Sequence, residues 1–113
     1  MRRKSLQNNL SFAFVQALYD YQEDRCAICQ RVNGEPGDGS DWLQMDHWGG
    51  CCERVSKDDK TCGECVRGLL CGGCNSRLLS WYEQAPESLR TITQVNDYLA
   101  NWPTSAVRQQ GFT

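Results

Sequence analysis

The chain has 113 residues, a formal net charge of −2 and eight cysteines. That length allows one domain with a modest core, and the charge argues against binding nucleic acid through bulk positive charge. Eight cysteines exceed what packing needs, so bound metal or disulfides are expected to add stability.

Met1-Arg2-Arg3-Lys4 before an apolar stretch has the outline of a secretion leader, but Gln7, Asn8, Asn9 and Gln16 interrupt that stretch too often for the role. Leu10, Phe14, Leu18 and Tyr21 recur at helical spacing and predict an amphipathic helix over 9–22. No stretch is long and apolar enough to span a membrane. The expected setting is the cytoplasm, which favours thiolates on metal over disulfides. "CAIC" (26–29) reads as a tight turn, and the Gly-, Asp-, Asn- and Pro-rich 33–41 as loop. "WLQMDH" (42–47) alternates and reads as a short strand. Residues 48–64 read as an irregular loop, and "VRGLL" (66–70) as a second strand. A helix should start near Gly73, with Leu78 and Tyr82 four apart on one face. A last helix is expected from Pro86, with Leu89, Ile92, Val95 and Leu99 on its apolar side. Pro103 should follow its end, and a loose tail should come after. The segments are then an N-terminal helix (1–25), a core (26–85), and a C-terminal helix and tail (86–113).

Cys26-x-x-Cys29 and Cys71-x-x-Cys74 have zinc-ligand spacing, because a two-residue gap lets both sulfurs of a pair reach one ion at about 2.3 Å. The first pair lies in a turn and the second joins a strand end to a helix start. A knuckle, a hairpin and a helix N-terminus tied in this way form a treble-clef arrangement, and the positive helix end suits thiolates. Redox pairs or two disulfides are the alternative, and no thioredoxin-like βαβ pattern surrounds either pair. The other cysteines, Cys51, Cys52, Cys62 and Cys65, leave open a second structural zinc, free thiols or a loop disulfide.

His47 is the only histidine. Asp46 precedes it on the strand, so the two side chains point to opposite faces unless a bulge or strand end intervenes. Asn75 follows a ligand cysteine in the first turn of the helix. Asp and Asn supply oxygen ligands that suit Mg²⁺ or Mn²⁺, and a neutral histidine beside such an ion can take a proton from water. Spacing alone equally allows His47 to be a polar surface residue or a zinc ligand, although four cysteines already fill a tetrahedral shell. The short basic groups, Arg2-Arg3-Lys4, Arg25 with Arg31, Arg54 with Lys57 and Lys60, and Arg67 with Arg77, read as solvated faces. Of the four tryptophans, Trp42, Trp81 and Trp102 are expected in the core. Trp48, next to His47, is a candidate DNA contact.

"YQEDRCAIC", "MDH" and "CVRGLLCGGCN" together resemble the signature blocks of the phage recombination endonuclease VII family, within the HNH or His-Me finger nucleases. The resemblance runs in order from residue 18 to residue 79. It implies a small α+β zinc-bound domain with a ββα-metal, treble-clef-like core and flanking helices. It implies Cys26, Cys29, Cys71 and Cys74 as zinc ligands, Asp46 and Asn75 as holders of a catalytic Mg²⁺ or Mn²⁺, and His47 as general base. The implied reaction is hydrolysis of a DNA phosphodiester, leaving 5′-phosphate and 3′-hydroxyl ends. Arg67 would contact a backbone phosphate or be a solvated strand residue. Many members carry a second histidine two positions after the first, where this chain has Gly49. Junction-resolving members dimerise partly through intertwined C-terminal helices, and this chain is shorter there. The shorter chain makes paired cleavage by a homodimer and single-strand nicking alternative expectations. If the chain is phage-encoded, the host cytoplasm is the setting. The competing reading is a catalytically weak treble-clef module that binds DNA or protein.

Overall fold

The computed structural model describes residues 10–34, 42–48 and 63–112. The first helix, α1, is Phe12–Tyr21. It starts where the Ser11 hydroxyl accepts the Phe14 N–H at 3.0 Å, which satisfies one of the amides that no helical carbonyl can reach. Its buried side chains, Phe14, Val15, Ala17 and Leu18, form one wall of the core.

The chain then doubles back through the cysteine turn. Arg25 and Val32 form an isolated antiparallel bridge across it, and Gln30, just after Cys29, has φ 67°. That left-handed residue lets the turn close without a glycine.

Two antiparallel strands follow, β1 (Gln44–His47) and β2 (Val66–Leu70). Every residue of β2 is buried, including Arg67 and Gly68. The edge of β2 away from β1 is covered by side chains and loop amides. The Gln22 side-chain amide donates to the Leu69 carbonyl and accepts the Leu69 N–H, both at 2.9 Å. The Ala27 N–H also donates to the Leu69 carbonyl, at 3.1 Å. The Thr104 hydroxyl donates to the Val66 carbonyl at 2.7 Å. A two-stranded hairpin alone is marginal in water, and these bonds complete it where further strands would otherwise lie.

The predicted helix after Cys71 is present, but its first part is a π-helix, Gly73–Leu78, running into α2 (Leu79–Gln84). The Leu79 N–H donates to the Cys74 carbonyl, five residues back. A π-turn is rare and shifts which side chains share a face; the Asn75 N–H still donates to the Cys71 carbonyl four residues back at 2.9 Å, so the shift falls on the residues after Asn75.

Three expectations for the remainder are corrected. The helix expected from Pro86 does not begin there: Pro86 precedes a short 3-10 turn, Glu87–Leu89, and α3 is Thr93–Ala100. The start of α3 is set by Tyr82, whose hydroxyl accepts the Ile92 N–H at 3.0 Å and donates to Asn96 Oδ1 at 2.7 Å. The tail expected to be loose forms α4 (Pro103–Gln109), with Pro103, Thr104 and Val107 buried against the core. Proline suits a first helical position as well as a stop. Finally, Trp42 is 70% exposed and Trp81 52%, so neither packs in the core. The core is filled instead by Tyr82, Leu43, Val66, Leu69, Leu79 and Val95. Among the described residues no helix is long and apolar enough to cross a membrane.

At Gly68 both α3 and α4 pack closely on the hairpin. A Cβ there would lie 2.9 Å from Pro103 Cγ and 3.0 Å from Tyr98 Cε1. Gly68→Ala is therefore expected to cost about 1–3 kcal/mol through overpacking, read as a lower denaturation midpoint with unchanged slope.

Candidate metal and catalytic site

The four cysteines with ligand spacing converge. The sulfurs of Cys26, Cys29, Cys71 and Cys74 all lie within 4.8 Å of one another, and those of Cys29 and Cys71 are 3.7 Å apart. A tetrahedron of Zn–S bonds of about 2.3 Å has an edge of about 3.8 Å. A disulfide would need about 2.05 Å, and all four cysteines are free. The donor set therefore fits a structural metal such as zinc, with no open position for water.

The electrostatics of the four thiols point the same way. The hydrogen bond with Cys74 holds the Cys26 thiol down at about 4, while that bond and burial push Cys74 up. Burial raises Cys29 as well. Without a cation, negative charge is favoured on Cys26 and disfavoured on Cys29 and Cys74. A divalent metal is what lets four adjacent sulfurs ionise together. Of the second cysteine group, Cys51, Cys52 and Cys62 lie outside the described residues. Cys65 is buried just before β2.

The strands go out of register between Asp46 and His47. Asp46 pairs with Gly68, but His47 pairs with Val66. Arg67 is thus an extra residue on β2, a bulge of the kind that re-aims side chains. Its guanidinium points at Asp46: Nε donates to Oδ2 at 2.7 Å and Nη2 to Oδ1 at 3.1 Å. Its Nη1 donates to Glu83 Oε1 at 2.6 Å. The Tyr98 hydroxyl, from α3, donates to the same Asp46 Oδ2 at 2.7 Å.

Asp46 and Arg67 are each 3% exposed. Burial alone would lower the Arg67 pKa, but hydrogen bonds and Coulombic attraction from Asp46 and Glu83 outweigh it and raise it. Burial first, then Asp46, holds the Tyr98 phenol far above its ordinary range, so at neutral pH it is a proton donor in a hydrogen bond. Arg67 is accordingly neither a solvated strand residue nor part of an exposed patch with Arg77.

The other candidates are placed as follows. Asn75 faces Gln44, its amide donating to Oε1 at 3.1 Å. Gln44 and Asp46 alternate onto the same face of β1, about 7 Å apart by strand rise. Asn75 is therefore held beside the strand that carries Asp46, and no bond joins the two. His47 is half-buried at the register break, and Trp48 is 49% exposed. Sequence reasoning missed Tyr98, Glu83 and Gln44 as partners of these groups.

Residues 1–101 match the model of the recombination endonuclease VII family, and the chain belongs to that family. The Gene 59 protein of Mycobacterium phage D29 is 36% identical over 91 residues, which cover 80% of this chain and 44% of that protein. The Gene 59 protein of Mycobacterium phage L5 is 36% identical over 90 residues, 80% of this chain and 43% of that protein. The chain thus spans less than half the length of these relatives. No solved structure matches it.

Removing metal with a thiol-competing chelator should unfold the domain cooperatively, because an ion held by these four sulfurs would tie the cysteine turn to the strand–helix join. Cys74→Ser should bind one zinc fewer per chain than wild type, counted by elemental analysis. Arg67→Ala should cost about 3–5 kcal/mol by leaving a buried carboxylate unpaired. Adding Asp46→Asn in that background should restore part of the loss in denaturant titrations.

Proposed function

We propose that this chain carries the nuclease centre of a metal-dependent DNA endonuclease of the HNH type, hydrolysing phosphodiester bonds by nicking or by cutting branched DNA. Family membership supports the DNA-cutting reaction class. The observation that carries the residue-level reading is the register break at Asp46/His47. It leaves a half-buried imidazole at the end of a strand whose neighbouring carboxylate is rigidly held underneath. In this reading His47 takes a proton from the attacking water. A neutral imidazole suits that task near neutral pH.

The same reading assigns Mg²⁺ or Mn²⁺ to Asp46 and Asn75, where the ion would stabilise charge on the phosphate. Their contacts as they stand do not fit a hydrated dication. Three donors already occupy the Asp46 oxygens, the carboxylate is buried, and Asn75 is engaged with Gln44. Magnesium normally keeps several of its waters. Metal binding at this pair therefore requires Arg67 to release an oxygen of Asp46. A phosphate contact by Arg67 requires the same release. These ties favour a second reading, a zinc-clamped module that binds DNA or protein without cutting it.

A plasmid-nicking assay with Mg²⁺ or Mn²⁺ separates the two. The nuclease reading predicts nicking by the wild type and a loss of roughly 100-fold or more in His47→Ala, with folding and zinc content unchanged. A wild type inert on duplex, single-stranded and branched DNA would favour the binding module.

A further inference from the structure

Trp48 directly follows His47. Its backbone N–H donates to the Cys65 carbonyl at 2.7 Å, which fixes it at the mouth of the hairpin, yet its side chain is 49% exposed. The indole leans on Trp102, with ring centroids 6.4 Å apart and planes tilted by 52°. Trp102 is itself held, since its Nε1–H donates to the Leu99 carbonyl at 3.0 Å. One tryptophan is thus a fixed support, and the other rests on it while about half of its surface stays open to solvent.

Beside the pair opens a cleft of about 480 Å³, floored by Tyr82 and Leu99, within the size range of small-ligand sites. Arg67, Glu83 and Arg90 line its polar wall. Arg67 is shared between the buried Asp46 and the more exposed Glu83, so that network carries one net negative charge and leaves Arg90 as the cleft's cation outside it. The exposed Arg90 has no ion-pair partner among the described residues.

We propose that this cleft binds one unstacked nucleotide, with its base on the outer face of Trp48 and its phosphate on Arg90. The inference rests on the reading of the domain as one that acts on DNA, and it adds to that reading a subsite for a single extruded nucleotide. Three features carry it. A base inside a duplex has both faces covered, so a single exposed indole can stack only on a base that has left the helix. The planes of the two tryptophans are too oblique to sandwich a base between them, which leaves the outer face of Trp48 as the platform. The chain's net charge of −2 supplies little bulk attraction to phosphate, so a local stacking contact with one unpaired cation is the kind of grip available.

The test compares binding of a fluorescent duplex bearing a single-stranded tail with that of a fully paired duplex, by anisotropy, without added Mg²⁺ or Mn²⁺. Trp48→Ala should weaken binding to the tailed DNA by roughly tenfold and leave the paired duplex within about twofold. Trp48→Phe should restore most of the loss. Arg90→Ala should lower the salt slope on the tailed DNA by about 0.7. Trp42→Ala, an exposed tryptophan elsewhere, serves as the control and should bind like wild type. Equal effects of Trp48→Ala on both DNAs, no effect, an equal effect of Trp42→Ala, or no wild-type binding to the tail would each overturn the proposal. Trp48-dependent binding by a protein that cuts nothing would keep this inference and remove the nuclease reading. Cutting by a protein indifferent to Trp48→Ala would do the reverse.

Discussion

Four cysteine sulfurs gathered within 4.8 Å are the constraint on which the rest of this domain depends. They bind the 26–29 turn to the junction where β2 ends and the π-helix begins. That junction sets the direction of the helix, and the helix direction brings Asn75 against β1 at Gln44. A chain of this size has a limited core to do the same work by packing alone. The bonds that cover the outer edge of β2, from Gln22, Ala27 and Thr104, hold the hairpin in the frame that the sulfurs define.

Within that frame the hairpin contains a buried charge network. Asp46 and Arg67 sit in a bidentate pair, extended by Glu83 on one side and by Tyr98 on the other. A buried ion pair contributes little net stability, but breaking one partner is costly, so the network makes this part of the strand stiff. It also ties the strand end beside His47 to α3, because the Tyr98 hydroxyl bridges the two. Any chemistry at Asp46 must work against those bonds, while His47, half-buried, and Trp48, exposed, stand at the margin of the network.

What the sequence made legible was local. Two CxxC pairs, the alternation of 42–47 and the apolar run of 66–70 depend on neighbours a few residues apart, and the cysteine cluster and both strands appear where spacing places them. What it hid was long-range. Arg67 read as exposed because charged strand residues usually are, and its partners lie 21 and 16 residues away. Tyr98 reaches Asp46 across 52 residues with no local mark to announce it. The bulge at Arg67 and the π-turn at Asn75 have no composition signal either. Pro103 misled for a different reason: the same fixed φ that ends one helix begins the next. Trp42 and Trp81 misled because aromatic size suggests burial, whereas the small core was already filled by leucines, valines and Tyr82.

The most direct measurement of the central claim is the zinc X-ray absorption spectrum of the purified protein. The account predicts a shell of sulfur alone, four scatterers at about 2.3 Å. A nitrogen or oxygen neighbour in that shell, or cysteines 26, 29, 71 and 74 recovered as disulfides in a zinc-free folded protein, would contradict it.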